Sequence, residues 1–285
     1  MQDIEEIKKS YKLNEDEFEE MYQNTRKIIF GNAKTYENPT AIIIGGQTGA
    51  GKGGLDVYSK KEFKKQGLDS VVIDVDIFRM LHPKAKEIIT KYPTFYTDIT
   101  GQETSPIAKA ILEEAINKGY NFIFEGTMRN TEILETMRKM PANFTKIVRV
   151  IATSPKESLL TAFERNEEQI KLIGYGRFTK VDIHNNSCKG VLDTLKIVEE
   201  SGVPDRIQVF TRGKDIVTPD LVYDSGKENN EYNSASETLE KYRLINEKNM
   251  EGTIEERLKE ILNSRNIETN EKIERGKLER EMEMK

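Results

Sequence analysis

Tryptophan is absent from the chain and cysteine occurs once, at Cys188. A lone cysteine closes no internal disulfide, so the chain suits a reducing compartment and a cytoplasmic location is expected. Histidine is nearly as scarce, with two in 285 residues, which makes a His/Cys zinc site improbable; no side chain is assigned as a metal ligand. No apolar run approaches the ~20 residues that span a bilayer, so no membrane association is expected. The acidic start, Met1-Gln-Asp-Ile-Glu-Glu6, has no apolar stretch, so no signal peptide is expected. An excess of positive charge is also missing: Lys+Arg is 44, Asp+Glu is 49 and the net charge is -5. That argues against a nucleic-acid binder, which usually carries a basic stripe, but leaves room for a local pocket for phosphates. What is present suits one large domain or two small ones, long enough to need no disulfide staple. Charged residues make up 33% and hydrophobic ones 36%, which reads as a globular core plus a heavily charged, solvated segment.

Along the chain, strand patterns alternate with helix patterns. A helix is predicted over 14–30, capped by Asn14 with Glu17 three residues on. Ala41-Ile-Ile-Ile44 is a continuous apolar run, the pattern of a strand buried on both faces, and a helix over about 51–66 follows it. Further strands are predicted at 70–74, 121–124, 146–152 and 207–210, and residues 215–223 return as a hairpin. Between them, Ser105-Pro106 and Ser154-Pro155 read as helix starts, 131–139 as a short helix and 191–202 as another. Alternation of this kind implies an α/β fold, a mostly parallel sheet with helices on both faces, whose ligands bind at the carboxyl ends of the strands. After Ser225 come charged helical stretches over 236–248 and from Thr253, where Thr253 and Glu256 suggest a capping box, then a charged terminus over 271–285. The division expected is a core domain over 1–225 and a charged helical C-terminal extension over 226–285.

The residues after the strands carry the chemistry. Gly46-Gln47-Thr48-Gly49-Ala50-Gly51-Lys52 fits the G-x-x-x-x-G-K phosphate cradle, between a buried strand and a helix as that motif requires. Its glycines let backbone N–H groups face phosphate oxygens, the helix start adds its positive end, and Lys52 bridges phosphates. Gly53 stands where a serine or threonine hydroxyl ordinarily meets Mg²⁺. Either the site is attenuated or the metal is held mainly by the nucleotide and water; on the first reading Gly53 lowers turnover without abolishing ATP binding. Asp74 and Asp76 lie at the end of the second strand, two apart and so on one face. Asp76 is either a general base for a hydroxyl or a helix N-cap. Glu125, Thr127 and Arg129 follow the third strand, either as a recognition cluster for a hydroxylated or phosphorylated substrate or as a surface ion pair. Arg165 and Arg177 are candidates to close over transferring phosphate, or ordinary surface arginines.

The run Pro39 to Lys52, the segment Val72-Ile-Asp-Val-Asp-Ile-Phe-Arg79 with His82-Pro83, and Gly119-Tyr-Asn-Phe-Ile-Phe-Glu-Gly-Thr-Met-Arg129 resemble the zeta-toxin family. Phe163-Glu-Arg165 and Arg177-Phe-Thr179 extend the resemblance over roughly residues 35–225. It implies a P-loop kinase that uses ATP or GTP with Mg²⁺ to phosphorylate the 3′-hydroxyl of UDP-N-acetylglucosamine, poisoning cell-wall synthesis. Lys52 would bind phosphates, Asp76 would be the base, Glu125, Thr127, Arg129 and Thr136 would bind the sugar nucleotide, and Arg165 and Arg177 would contact phosphates. A small helical antitoxin would be the protein partner. Two departures stand out: Gly53, and Lys109 where the family has a substrate-binding glutamate, with Glu103 nearby as a substitute. Two other readings stay open, a P-loop kinase for another small-molecule hydroxyl (an antibiotic or other sugar nucleotide) and a silent nucleotide-binding interaction module.

Overall fold

The computed structural model describes residues 3–213, 218–249 and 252–264. The strands are β1 (Thr40–Gly45), β2 (Val71–Asp74), β3 (Phe122–Glu125), β4 (Thr145–Ile151), β5 (Arg206–Thr211) and β6 (Asp220–Asp224). They form one sheet in the order β2-β3-β1-β4-β5-β6, parallel throughout except for the β5–β6 pair. The helices are α1 (Ile4–Tyr11), α2 (Glu15–Phe30), α3 (Lys52–Lys65), α4 (Val75–Met80), α5 (Ala85–Lys91) and α6 (Tyr96–Lys118). After them come α7 (Glu132–Lys139), α8 (Pro155–Ile173), α9 (Val181–Ser201), α10 (Ala235–Asn249) and α11 (Thr253–Ser264). Among the described residues, no helix is long and apolar enough to cross a membrane.

β1 is central, flanked by β3 and β4, which is why its isoleucines are all buried. Its side chains alternate between faces. Ala41 and Ile43 join Met21, Ile111, Leu134, Leu195 and Leu239 from α2, α6, α7, α9 and α10 on one side. Ile42 and Ile44 meet Leu55 and Phe63 of α3 on the other. The sheet is thus covered on both faces, the α/β fold expected from the alternating pattern.

Several boundaries differ from the sequence reading, each for a packing reason. Ser105-Pro106 does not start a helix; α6 begins at Tyr96 and carries Pro106 inside it. An interior proline costs roughly 3 kcal/mol, but the turns before it bury Tyr96, Ile99, Thr100 and Glu103, and that burial holds the helix together. α9 begins at Val181, ahead of the expected Val191, with His184, Ser187 and Cys188 buried in its first turns. The second charged helix starts at Thr253, with the Gly252 carbonyl accepting from the Glu256 N–H; the terminus over 271–285 lies outside the described residues. The helices of the C-terminal extension are docked on the core rather than solvated all round. Ala235, Thr238 and Leu239 of α10 are fully buried, and Ile261 and Leu262 of α11 pack on Leu159, Leu160 and Phe163 of α8.

Candidate active site

The carboxyl ends of β1, β2 and β3 carry the candidate residues. After β1 the chain turns through residues 46–51 into α3, whose cap Gly51 has φ 100° and no capping side chain. The first N–H groups of α3 are therefore free for an anion. At Gly49, with φ 79°, a Cβ would lie 1.9 Å from the Ser158 carbonyl oxygen, so the loop packs against α8 as only glycine allows. Polar groups hold the loop from behind. The Gln47 amide donates to the Thr153 carbonyl at 2.9 Å and to Ser158 Oγ at 3.1 Å, and Thr153 Oγ1 donates to the Ala50 carbonyl at 2.6 Å. Arg212, just past β5, donates to the Gly49 and Ala50 carbonyls and pairs with Glu157 at 2.9 Å.

Lys52 Nζ lies 3.7 Å from Glu125 Oε1 at the end of β3, and both side chains are largely buried. Glu125 is one of a group of acids that includes Asp56, one turn into α3, and Asp74. Burial, then the neighbouring Glu125, pushes Asp56 up to about 9. Burial and Glu125 likewise raise Asp74 to about 6. One Asp56 carboxylate oxygen, Oδ1, is buried without a hydrogen-bond partner.

β2 ends at Asp74, and α4 begins at Val75. The helix cap is therefore Asp74, whose Oδ1 accepts from the Asp76 N–H at 2.8 Å; Asp76 is in the first turn and not the cap. The same-face strand argument for the two aspartates fails for that reason, and the helix turn is what presents Asp76. Its carboxylate pairs with Arg177 from the loop after α8 and with Arg79 Nε at 3.3 Å. Arg79 is fixed in turn by the Thr97 carbonyl at 2.9 Å and Thr100 Oγ1 at 3.0 Å of α6. Burial acts to raise the Asp76 carboxyl, but Arg177, Arg79 and Lys52 outweigh it and hold it below the usual carboxylate range. Arg165 completes the group. Its Nε and Nη2 are buried without hydrogen-bond partners, and it feels Arg177, Asp76, Glu125 and Asp74. Orphaned guanidinium donors near these carboxylates call for a hydrogen-bond acceptor, and a phosphate would satisfy them.

The structure thus brings together Lys52, Glu125, Asp76, Arg165 and Arg177. Thr127 lies at the edge of the loop, its carbonyl accepting from the Gly46 N–H, and is followed by Met128 at φ 52°, an unusual backbone for that residue. Arg129 is exposed and Thr136 donates its hydroxyl to Glu132 of its own helix at 3.1 Å. Neither makes a polar contact with the Lys52–Asp76 group among the described residues. Lys109 is exposed, and Glu103 does not take its place in the group: it is buried, accepting from the Leu13 N–H and facing His82. Sequence reasoning missed Asp56, Arg79 and Arg212. The first two had a signal, four residues after Lys52 and three after Asp76 respectively; Arg212 had none.

Donors in this group are oxygens, which suits a hard cation such as Mg²⁺, and a Cβ at Gly53 would have nothing within 4 Å, so space remains beside the loop. Among the described residues, however, no group of three or more His, Cys, Asp or Glu is arranged as a metal cage. The fit is to an ion carried mainly by phosphates and water.

Comparison with known proteins identifies the family and the fold. The family described as zeta toxin matches residues 23–237. The toxin PezT of Streptococcus pneumoniae is 30% identical over 247 residues, covering 84% of this chain and 93% of that protein. The toxin zeta of Streptococcus agalactiae is 26% identical, covering 91% and 88%. A solved structure from the PezAT chromosomal toxin–antitoxin system of Streptococcus pneumoniae superposes with a TM-score of 0.72 at 26% identity, covering 88% of this chain and 98% of that one. The family match spans the glycine-rich loop, the Asp76 turn, Arg165 and Arg177, and the chain belongs to the zeta toxin family.

Proposed function

We propose that this protein is a kinase that transfers the γ-phosphate of ATP or GTP to the 3′-hydroxyl of UDP-N-acetylglucosamine, and that it poisons cell-wall synthesis by doing so. The observation that carries the reading is the placement of Asp76, an ionised carboxylate held by Arg177 and Arg79 and close enough to feel Lys52 of the loop. The β- and γ-phosphates would lie on residues 46–52, with Lys52 against them. Arg165 gains the acceptor it lacks. Arg177, drawn toward phosphate, releases one oxygen of Asp76, which then orients the acceptor hydroxyl and takes its proton during in-line attack. Glu125, Thr127, Arg129 and Thr136 are the proposed contacts to the sugar nucleotide. Asp74 and Glu125 would help hold a Mg²⁺ ion carried mainly by phosphates and water, which would neutralise phosphate charge. The relatives' toxin–antitoxin context supports an antitoxin as partner; it is proposed to be small and helical and to cover the nucleotide site.

A second reading, a kinase for another small-molecule hydroxyl, is favoured by one observation: Lys109 faces solvent and Glu103 is engaged elsewhere, so α6 offers neither to a sugar. The test is transfer of labelled γ-phosphate from ATP to UDP-N-acetylglucosamine. Product is expected, with Asp76→Asn lowering kcat roughly 10²–10⁴-fold while ATP still binds. Label on a different acceptor moves the reading to the second kinase, and turnover undiminished in Asp76→Asn removes the base.

A further inference from the structure

Arg243 belongs to α10, in the charged extension, yet is only 7% exposed. Its Nη2 donates to Gln47 Oε1 at 2.8 Å and its Nη1 to the Cys188 carbonyl at 2.9 Å. Its Nε is buried without a partner. Burial lowers Arg243, and the groups that favour its charge are first the Cys188 thiol, itself pushed up to about 11 and so uncharged near neutral pH, and then the exposed Glu240 on its own helix, which makes no ion pair with it. Burial of a guanidinium without a carboxylate is unfavourable, and such groups are normally paired.

The other end of this contact is the phosphate loop. Gln47 is fully buried, and both ends of its amide are engaged: the nitrogen by Thr153 and Ser158, the oxygen by Arg243. One turn further along α10, Asn246 Nδ2 donates to the Ala152 carbonyl at the end of β4 at 2.7 Å. Helix α10 therefore holds the loop's second residue and the strand end behind it. A polyphosphate on the open side of the loop would supply, across Gln47, the negative charge that Arg243 lacks, in a setting where water screens little.

We propose that Arg243 is a positioning residue of the phosphate loop, and that through it binding of a polyphosphate nucleotide and docking of α10 are coupled. The proposal rests on the nucleotide-binding reading above. Coupling is reciprocal, so α10 raises nucleotide affinity by the factor with which nucleotide favours α10 docking.

The experiment uses the full chain, Arg243→Met and Arg243→Lys, with ATP as the probe. Titration calorimetry gives affinity, thermal unfolding is followed with and without ATP, and amide exchange is mapped over α10. In the parent, ATP is expected to slow exchange in α10. Arg243→Met should lose about tenfold or more in ATP affinity and most of the thermal shift that ATP adds, with partial recovery in Arg243→Lys, which keeps the charge. A purely structural role would lower the unfolding temperature and leave the ATP-added shift intact, overturning the proposal. If Arg243→Met does not fold, the parent decides: ATP binding with unchanged exchange in α10 overturns it. Failure of the parent to bind ATP at all refutes the nucleotide reading itself, and the coupling with it.

Discussion

Gly53→Ser restores the hydroxyl that the phosphate-loop pattern calls for, and the structure says what it should do. A Cβ there meets nothing within 4 Å, so the serine enters without displacing a neighbour. Gly53 is in the first turn of α3, where exchanging glycine for serine favours the helix by about 0.5 kcal/mol. The larger effect is chemical. An oxygen bonded to a charged partner contributes about 1.5–3 kcal/mol, which at ~1.4 kcal/mol per factor of ten is roughly a tenfold to hundredfold gain in kcat/KM. The gain should be greatest at low Mg²⁺ and shrink as Mg²⁺ saturates, because the added oxygen helps retain an ion that phosphates and water otherwise hold. The assay is phosphate transfer across a Mg²⁺ titration, with ATP affinity measured in parallel. Equal kcat/KM and an unmoved Mg²⁺ midpoint in Gly53→Ser would refute the idea that the missing hydroxyl attenuates the site.

Gly49→Ala should act oppositely to Gly53→Ser: the left-handed backbone at Gly49 costs an alanine about 1–2 kcal/mol, and its methyl would overlap the Ser158 carbonyl at 1.9 Å. ATP affinity should fall by more than about tenfold by calorimetry, with a lower unfolding midpoint; unchanged affinity would mean that the loop does not rest on α8 when nucleotide binds. Asp56, raised to about 9, holds its proton in the folded state where the unfolded chain has lost it, so its contribution to stability is fully present below about pH 4 and is lost as pH rises toward 9. Asp56→Asn lacks that dependence, and its unfolding temperature should exceed the parent's by a margin that grows from pH 5 to pH 8; a constant margin would show that burial beside Glu125 does not hold the Asp56 carboxyl protonated.

Short-range chemistry made much of this protein readable from the chain. The Asn14–Glu17 capping box, the Ser154-Pro155 helix start and the apolar β1 run each depend on neighbours a few residues away, and each is found in the structure. The glycine loop is local too, and so was the place to look for phosphates. Long-range packing decided the rest. Pro106 stays inside α6 because distant side chains bury the turns ahead of it. Arg149 is buried in β4 because Glu62 and Ser59 of α3 and Gln208 of β5 come to meet it.

The candidate site divides in the same way. Lys52, Asp76, Glu125, Arg165 and Arg177 were named from their positions after strands and in loops, but no spacing could say that Arg177 and Arg79 share the Asp76 carboxylate or that Arg165 lacks an acceptor. The sequence by itself determined the α/β class and the glycine-rich turn from β1 into α3, because periodicity and turn stereochemistry act over a few residues. Only the tertiary structure decided that the charged extension docks on the core and that Arg243 reaches Gln47 across 196 residues, because that contact depends on how α10 packs against α9 and β5.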